Sequence, residues 1–363
     1  MTFPGSRRTS TMRLALLGAS LACLALPVPA VAWGNEGHET IALIARGYLT
    51  ADVRAKVDAI LATDADTLTA PDMASRATWA DAWRSAGHRE TASWHFVDIE
   101  LGAPDLRAAC FGFPAAATPA SAGPVQDCVV DKVREFTAEL ASPATSPPER
   151  VLALKYLLHF VGDLHQPLHA ADNQDRGGNC VLIALGARTV NLHAWWDTVV
   201  VGELGSDPGA LATSLTAAIT PAQIGQWQAG DAGTWAQETF AVARAAAYRV
   251  GSPAGCTAGA APLPLPPGYD DAARAAAALQ IERAGVRLAI VLNSSLSGTS
   301  VAVSHSPAWQ TATPPSTEAG GQGSTTRSAV SLACSAEADR LSLHGSSRKL
   351  FRRRCIRERK QAS

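Results

Sequence analysis

The stretch His159-Phe160-Val161-Gly162-Asp163-Leu164-His165-Gln166-Pro167-Leu168-His169 decides how this chain is read. Pro147-Pro148-Glu149 opens a strongly apolar helical segment that runs into it, through about Leu164. On that helix His159 and Asp163 are four residues apart and stack on one face. Pro167 cannot continue the helix, since it lacks an N–H and its ring clashes with the turn before it. His169 can then turn back towards the same centre. His193 and Asp197 repeat the four-residue spacing within His193-Ala194-Trp195-Trp196-Asp197.

Three further segments carry the same residue types: Trp33-Gly34-Asn35-Glu36-Gly37-His38, Trp79-Ala80-Asp81-Ala82-Trp83-Arg84 and Trp94-His95-Phe96-Val97-Asp98. Imidazole nitrogen combined with carboxylate oxygen, and no thiolate, suits zinc in a catalytic rather than a structural site. A single His-x-x-x-Asp pair is common on helices and says little. Two such pairs, a histidine just beyond a helix-stopping proline and another near the expected mature N-terminus point to a multinuclear zinc site. His88, His165, His305 and His344 have no such company and read as surface or satisfied core histidines.

Outward from these motifs, helical periodicity dominates. Helices are expected over residues 39–49, from an N-cap at Thr50 through Leu61, and over 128–140 with Val129, Val133, Phe136 and Leu140 on one side. Residues 221–249 and 270–293 read as further alanine-rich helices. Val181-Leu182-Ile183 and Thr189-Val190-Asn191 flank a glycine turn at Gly186 and read as a short β-hairpin. Residues 102–125 and 250–269 are loops rich in Pro, Ala and Gly. The fold class expected is mainly α: a single compact helical domain over residues 33–297.

The ends differ in kind. Arg7, Arg8 and Arg13 precede an apolar run, Leu14 to Leu26, which Pro27 and Pro29 break before Ala30-Val31-Ala32. This is the pattern of a secretory signal with its cleavage site, and the run is short of the ~20 residues a membrane span needs. Residues 1–32 are therefore expected to be removed, leaving Trp33 first in an exported protein, periplasmic or extracellular, with no membrane span after processing. Residues 298–363 lack periodicity and read as a disordered, low-complexity tail with a basic end at 348–360. The formal net charge of the whole chain is −1, which argues against a broad basic nucleic-acid surface. The basic leader and tail leave residues 33–347 strongly acidic. After the signal, Cys110, Cys128, Cys180, Cys256, Cys334 and Cys355 remain, none in a Cys-x-x-Cys pair. Export permits disulfides, and bridges are expected among the first four, with no pairing chosen.

Taken together, the motifs from Trp33 to about Asn293 resemble the zinc-dependent, single-strand-specific type I nucleases, which share a fold with bacterial zinc phospholipases C. The matching strings are Trp-Ala-Asp-x-x-Arg, Trp-His-Phe-Val-Asp, His-Phe-Val-Gly-Asp-x-His-Gln-Pro-Leu-His, Asn-Leu-His-x-x-Trp-Asp-Thr, and a mature N-terminal Trp with His five later. The resemblance implies three Zn2+. One would take Asp81, His95, His159 and Asp163. A second would take the free amine and carbonyl of Trp33, with His38 and the bridging Asp163. A third would take His169, His193 and Asp197. Asp81, Arg84 and Asp163 would be catalytic, Arg84 facing the phosphate. Phe96 would stack on a base and Asp98 bond its edge.

The activity so implied is endonucleolytic cleavage of single-stranded DNA and RNA at the P–O3′ bond, leaving 5′-phosphates, with removal of 3′-phosphates from mononucleotides. A monomer without a protein partner is expected. Three features depart from the family: the 102–125 loop, the tail, and cysteine positions that match only loosely. The alternative is a secreted zinc phospholipase C. That branch places a glutamate where this chain has Asp197 and lacks the Phe96–Asp98 pair. A non-catalytic zinc-binding or structural exported protein is the remaining reading.

Overall fold

The first helix, α1 (Gly34–Tyr48), buries His38, Ile41, Ala42, Ala45 and Tyr48 at helical spacing. The computed structural model that shows this describes residues 33–297; the leader, the tail, His305, His344, Cys334 and Cys355 lie outside the described residues. Thr50 caps α2 (Ala51–Leu61) as expected, its hydroxyl accepting the Val53 N–H at 3.2 Å. Asn293, far along the chain, holds this corner: its Oδ1 accepts the Thr50 N–H at 3.1 Å and its Nδ2 donates to the Tyr48 carbonyl at 3.1 Å.

A short helix, α3 (Trp79–Ser85), and a 3₁₀ segment, Arg89–His95, follow. Then α4 (Val129–Ala141) and α5 (Pro147–Asp163) pack as a hairpin. Val129, Val133, Phe136 and Leu140 are all buried, as their spacing requires. Phe136 stacks on Tyr156 with ring centroids 4.6 Å apart, and Tyr156 on Phe160 at 5.0 Å. Every residue from Ala153 to Asp163 is buried. A helix buried on all sides belongs at the centre of the molecule, and α5 is that helix. Its one lysine, Lys155, lies 3.8 Å from the Trp79 ring centroid and 3.1 Å from Asp64. α5 ends at Asp163, and Pro167 opens a separate 3₁₀ turn, Pro167–His169, capped by the Gln166 side chain.

The hairpin is present as β1 (Leu182–Leu185) and β2 (Arg188–Asn191), with Ile183 opposite Val190 and Gly186 at φ 57° in the turn. Beyond it lie α6 (Pro208–Ala218), α7 (Pro221–Trp227) and α8 (Ala232–Ala245). The helical reading of 221–249 thus resolves into two α-helices with a break between them. Gly230 adopts φ 85°, and Asp231 caps a new helix by accepting the Thr234 N–H at 2.8 Å. A left-handed glycine followed by an N-cap outweighs apolar periodicity. A third strand, β3 (Leu263–Pro264), pairs parallel to β1. Two residues, one a proline, offer no alternation for sequence reading to find.

The last helix, α9 (Tyr269–Leu296), runs past the expected 270–293 and packs along α1. Gly285 makes this approach possible: a Cβ there would lie 2.4 Å from Ile44 Cγ2. Disulfides join Cys110 to Cys128 and Cys180 to Cys256, both within the first four cysteines after the leader. Among the described residues, no helix is long and apolar enough to cross a membrane. Gly285→Ala is expected to cost ~1–3 kcal/mol through overpacking of the α1–α9 seam. Urea unfolding should show a lower midpoint with an unchanged slope.

Candidate metal centre

Five separated segments meet at the C-terminal end of α5. α1 brings His38, α3 brings Asp81, the 3₁₀ segment ends in His95, and the 3₁₀ turn brings His169. His193 and Asp197 come from a helical stretch that passes through a π turn, Trp195–Val199. Asp163 stands in the middle. Its Oδ2 lies 2.9 Å from His95 Nδ1 and 3.2 Å from His159 Nε2, and its Oδ1 lies 3.5 Å from both His38 Nε2 and His169 Nδ1. Asp81 stands 3.7 Å from His95 and 3.8 Å from His159. His193 Nε2 is 3.3 Å from Asp197 Oδ2.

These side chains form three buried groups: His38 with His159 and Asp163, Asp81 with His95 and His159, and His169 with His193 and Asp197. Within each group the candidate ligand atoms lie within 4.8 Å of one another. Both nitrogens of His38, Nε2 of His95 and of His159, and one oxygen each of Asp81, Asp163 and Asp197 are buried without a hydrogen-bond partner. Buried polar atoms are nearly always paired, and such a concentration of exceptions calls for a further partner. Nitrogen and carboxylate donors without thiolate suit a divalent cation of the zinc type, so these residues fit the expected group.

The imidazoles are oriented from behind. Nδ1 of His159 donates to the Ala77 carbonyl at 2.7 Å, Nδ1 of His169 to the His95 carbonyl at 2.7 Å, and Nδ1 of His193 to the Gly177 carbonyl at 2.6 Å. A carbonyl can only accept, so Nδ1 carries a proton and Nε2 is the nitrogen left for the centre. His38 is held by packing: its ring stacks on His159 at 3.9 Å and lies over Gly162, where a Cβ would come within 2.8 Å of Nδ1. Burial, then the neighbouring His159, lowers the His38 pKa. Burial, offset in part by Asp163, lowers that of His169 to about 3. Burial works against the charged form of His159 too, but Asp163 and Asp81 outweigh it and its pKa is raised. Burial opposes the charge on Asp163, yet His159 and His169 hold its pKa well below the usual carboxylate range. Asp197, pushed up to about 7, is dominated by burial.

Trp33 is fully buried. Its backbone nitrogen donates to Asp197 Oδ1 at 3.3 Å, its indole Nε1 to the Gly162 carbonyl at 2.9 Å, and its carbonyl accepts the Gly37 N–H at 3.1 Å. The nitrogen is therefore placed beside Asp197, and the carbonyl serves the first turn of α1. Arg84 lies on the next turn of α3 from Asp81, Nη2 standing 2.7 Å from Asp81 Oδ1. Phe96 is half-buried and is not one of the side chains packed on the apolar core.

Asp98 follows Phe96 on a segment that pairs with the chain beyond His169. The Val97 N–H donates to the His169 carbonyl at 2.7 Å, and the Asp172 N–H to the Ile99 carbonyl at 3.0 Å. This puts Asp98 near Asp172, Glu100 and Asp175. Burial first, then these carboxylates, raises its pKa to about 8.

Sequence reasoning missed three groups in the centre: Gln166, whose amide touches Asp197, the Gly177 carbonyl on His193, and the absent side chain of Gly162. Gln166 and Gly162 sit inside the quoted His-to-His string, so a signal existed; a backbone carbonyl gives none. His165 is the core histidine expected, with Nδ1 donating to Val161 at 2.7 Å and Arg287 at 3.0 Å from Nε2. His88 is the surface one, stacked on Trp83. Two other acidic clusters are filled otherwise: Cys110 and Cys128 beside Asp127 are bridged, and the Lys132 ammonium lies 3.2 Å from Asp127 and 2.6 Å from Glu135.

Fold and site thus define a mainly helical protein built around a buried cluster of candidate metal ligands. Residues 33–297 match the family model of the S1/P1 Nuclease, and the chain belongs to that family. It is 35% identical to Nuclease S1 of Aspergillus oryzae over 185 residues, which cover 50% of this chain and 59% of that protein. It is 30% identical over 285 residues to Nuclease PA3 of a Penicillium species and to Nuclease P1 of Penicillium citrinum, covering 72% of this chain and 97% of each.

A carboxyl whose folded pKa lies above its unfolded value near 3.9 keeps its proton longer in the native state. Stability is then highest below pH 4 for this group and falls as pH rises to about 8. Asp98→Asn should flatten that decline in the chelator-treated protein. Thermal melts from pH 4 to 9 should show the variant gaining on the wild type as pH rises.

Proposed function

We propose that the chain is an exported, zinc-dependent, single-strand-specific endonuclease. It cleaves DNA and RNA at the P–O3′ bond to leave 5′-phosphates and also removes 3′-phosphates from mononucleotides. The convergence of three buried ligand groups around unpartnered atoms, in a chain of the S1/P1 nuclease family, carries this reading. Asp81, His95, His159 and Asp163 would hold one zinc; Trp33, His38 and Asp163 a second; His169, His193 and Asp197 a third. Bound zinc supplies Lewis acidity that lowers the pKa of water and offsets charge on phosphate oxygens.

The chain's own residues do the rest. Asp163 presents one oxygen to His95 and His159 and the other to His38 and His169, the disposition of a bridging carboxylate. Arg84 stands beside Asp81, Nη2 2.7 Å from Oδ1, and its guanidinium charge suits the oxygens of a phosphate. Phe96 offers a ring outside the core for a base to stack on, which demands an unstacked strand. Asp98 keeps its proton at neutral pH and so offers both a donor and an acceptor to a base edge. Two disulfides fit an oxidising compartment. Removal of residues 1–32 would free the Trp33 amine, and the processed protein is read as a monomer.

Denatured DNA, RNA and lecithin should be assayed side by side, with and without chelator. Release of 5′-mononucleotides that chelator abolishes and zinc restores is expected; turnover of lecithin alone would overturn the reading in favour of a phospholipase C. Asp163→Ala should abolish turnover together with zinc pairing. Phe96→Ala should raise KM on single-stranded DNA, since base stacking is worth ~1–3 kcal/mol, or about 5- to 150-fold. Steady-state kinetics on oligonucleotides would measure it.

A further inference from the structure

Asp197 has two oxygens in different surroundings. Oδ1 accepts from the Gln166 Nε2 amide and from the Trp33 nitrogen. Oδ2 has no hydrogen-bond partner and stands 3.3 Å from His193 Nε2, inside the His169, His193 and Asp197 group. Left alone, a carboxylate turns about its last torsion with little preference, and its oxygens are interchangeable. Something must assign them.

Gln166 is fully buried, and its own orientation is fixed. Its Oε1 accepts the Leu168 N–H, a group that can only donate, so Nε2 must face Asp197. Its backbone is pinned as well: its N–H donates to the Asp163 carbonyl at 2.9 Å, and its carbonyl accepts the His169 N–H at 3.0 Å. The amide therefore stands between two candidate ligands in sequence and reaches a third in space.

We propose that Gln166 is a positioning residue that assigns the oxygens of Asp197, holding Oδ1 so that Oδ2 faces the ion shared with His169 and His193. The inference rests on the three-zinc reading above. The amide's hydrogen bond to a candidate ligand is the one to Asp197, whose Oδ2 belongs to the third group, while the Trp33 nitrogen keeps its own bond to Oδ1. Loss of the amide is therefore expected to act on the third ion.

Zinc retained per protein is measured by elemental analysis after equilibration with graded chelator at neutral pH. Three proteins are compared: wild type, Gln166→Glu and Gln166→Met. Gln166→Glu keeps size and shape and still accepts the Leu168 N–H, but turns an oxygen towards Asp197. Both variants are expected to release one of three zinc ions at about tenfold lower chelator, the range typical of groups that orient a ligand. The other two should leave at the wild-type concentration. Unchanged retention in Gln166→Glu would overturn the proposal. So would equal weakening of all three ions, or an altered far-UV spectrum of its metal-free form, since either marks a merely structural residue. A wild type that retains fewer than three ions overturns the three-zinc reading and this inference with it. A wild type with three and an unaffected Gln166→Glu overturns the inference alone.

Discussion

The buried carboxylate of Asp163 is the constraint around which this molecule is arranged. It has no exposure to solvent, and four imidazoles, from His38, His95, His159 and His169, stand within 3.5 Å of its oxygens. An isolated buried carboxylate would give up its charge. Here burial raises its pKa, but His159 and His169 outweigh that and hold it well below the usual carboxylate range. Each of the four histidines belongs to a different element or turn, so gathering them about one carboxylate fixes the relative positions of α1, the His95 segment, α5 and the Pro167 turn. The apolar core and the polar centre are not separate layers; α5 is the spine of both.

Close approach is the second requirement. Imidazoles can crowd one carboxylate only where the backbone lets helices come near. Gly162 leaves room for the His38 ring and offers its carbonyl to the Trp33 indole. Gly285 lets α9 lie against Ile44 of α1, and Asn293 ties the end of α9 to the α1–α2 corner. The long last helix thereby acts on the centre from a distance, by holding α1 in register with α5. The two disulfides fasten the irregular parts: Cys110–Cys128 holds the loop beside the Phe96 segment, whose carbonyl accepts the Val129 N–H at 3.1 Å, and Cys180–Cys256 holds the chain that follows the Gly177 carbonyl.

Much of this was legible in the sequence because it rests on local rules. The Thr50 cap, the apolar side of α4, the proline-opened α5 and the hairpin about Gly186 each follow from a few adjacent residues. The pairing of His159 with Asp163 and of His193 with Asp197 followed from helical pitch. The break at Gly230 and Asp231 was not placed, since a local signal there competes with the apolar periodicity, and β3 was missed because it is too short to have a pattern. Resemblance, not spacing, assigned Asp81, His95 and Trp33 to the expected site, since they lie far apart in the chain.

The sequence by itself determined the helical class, the ligand types and their spacing within each segment, because pitch, capping and the chemistry of side chains are properties of neighbours. Tertiary structure alone decided contacts that neither local rules nor resemblance named: that His169 also faces Asp163, that Cys110 pairs with Cys128, and that the Trp33 nitrogen and the Gln166 amide share one oxygen of Asp197. These depend on burial and close packing between residues remote in sequence. No window along the chain contains the partners whose desolvation selects one arrangement over the others.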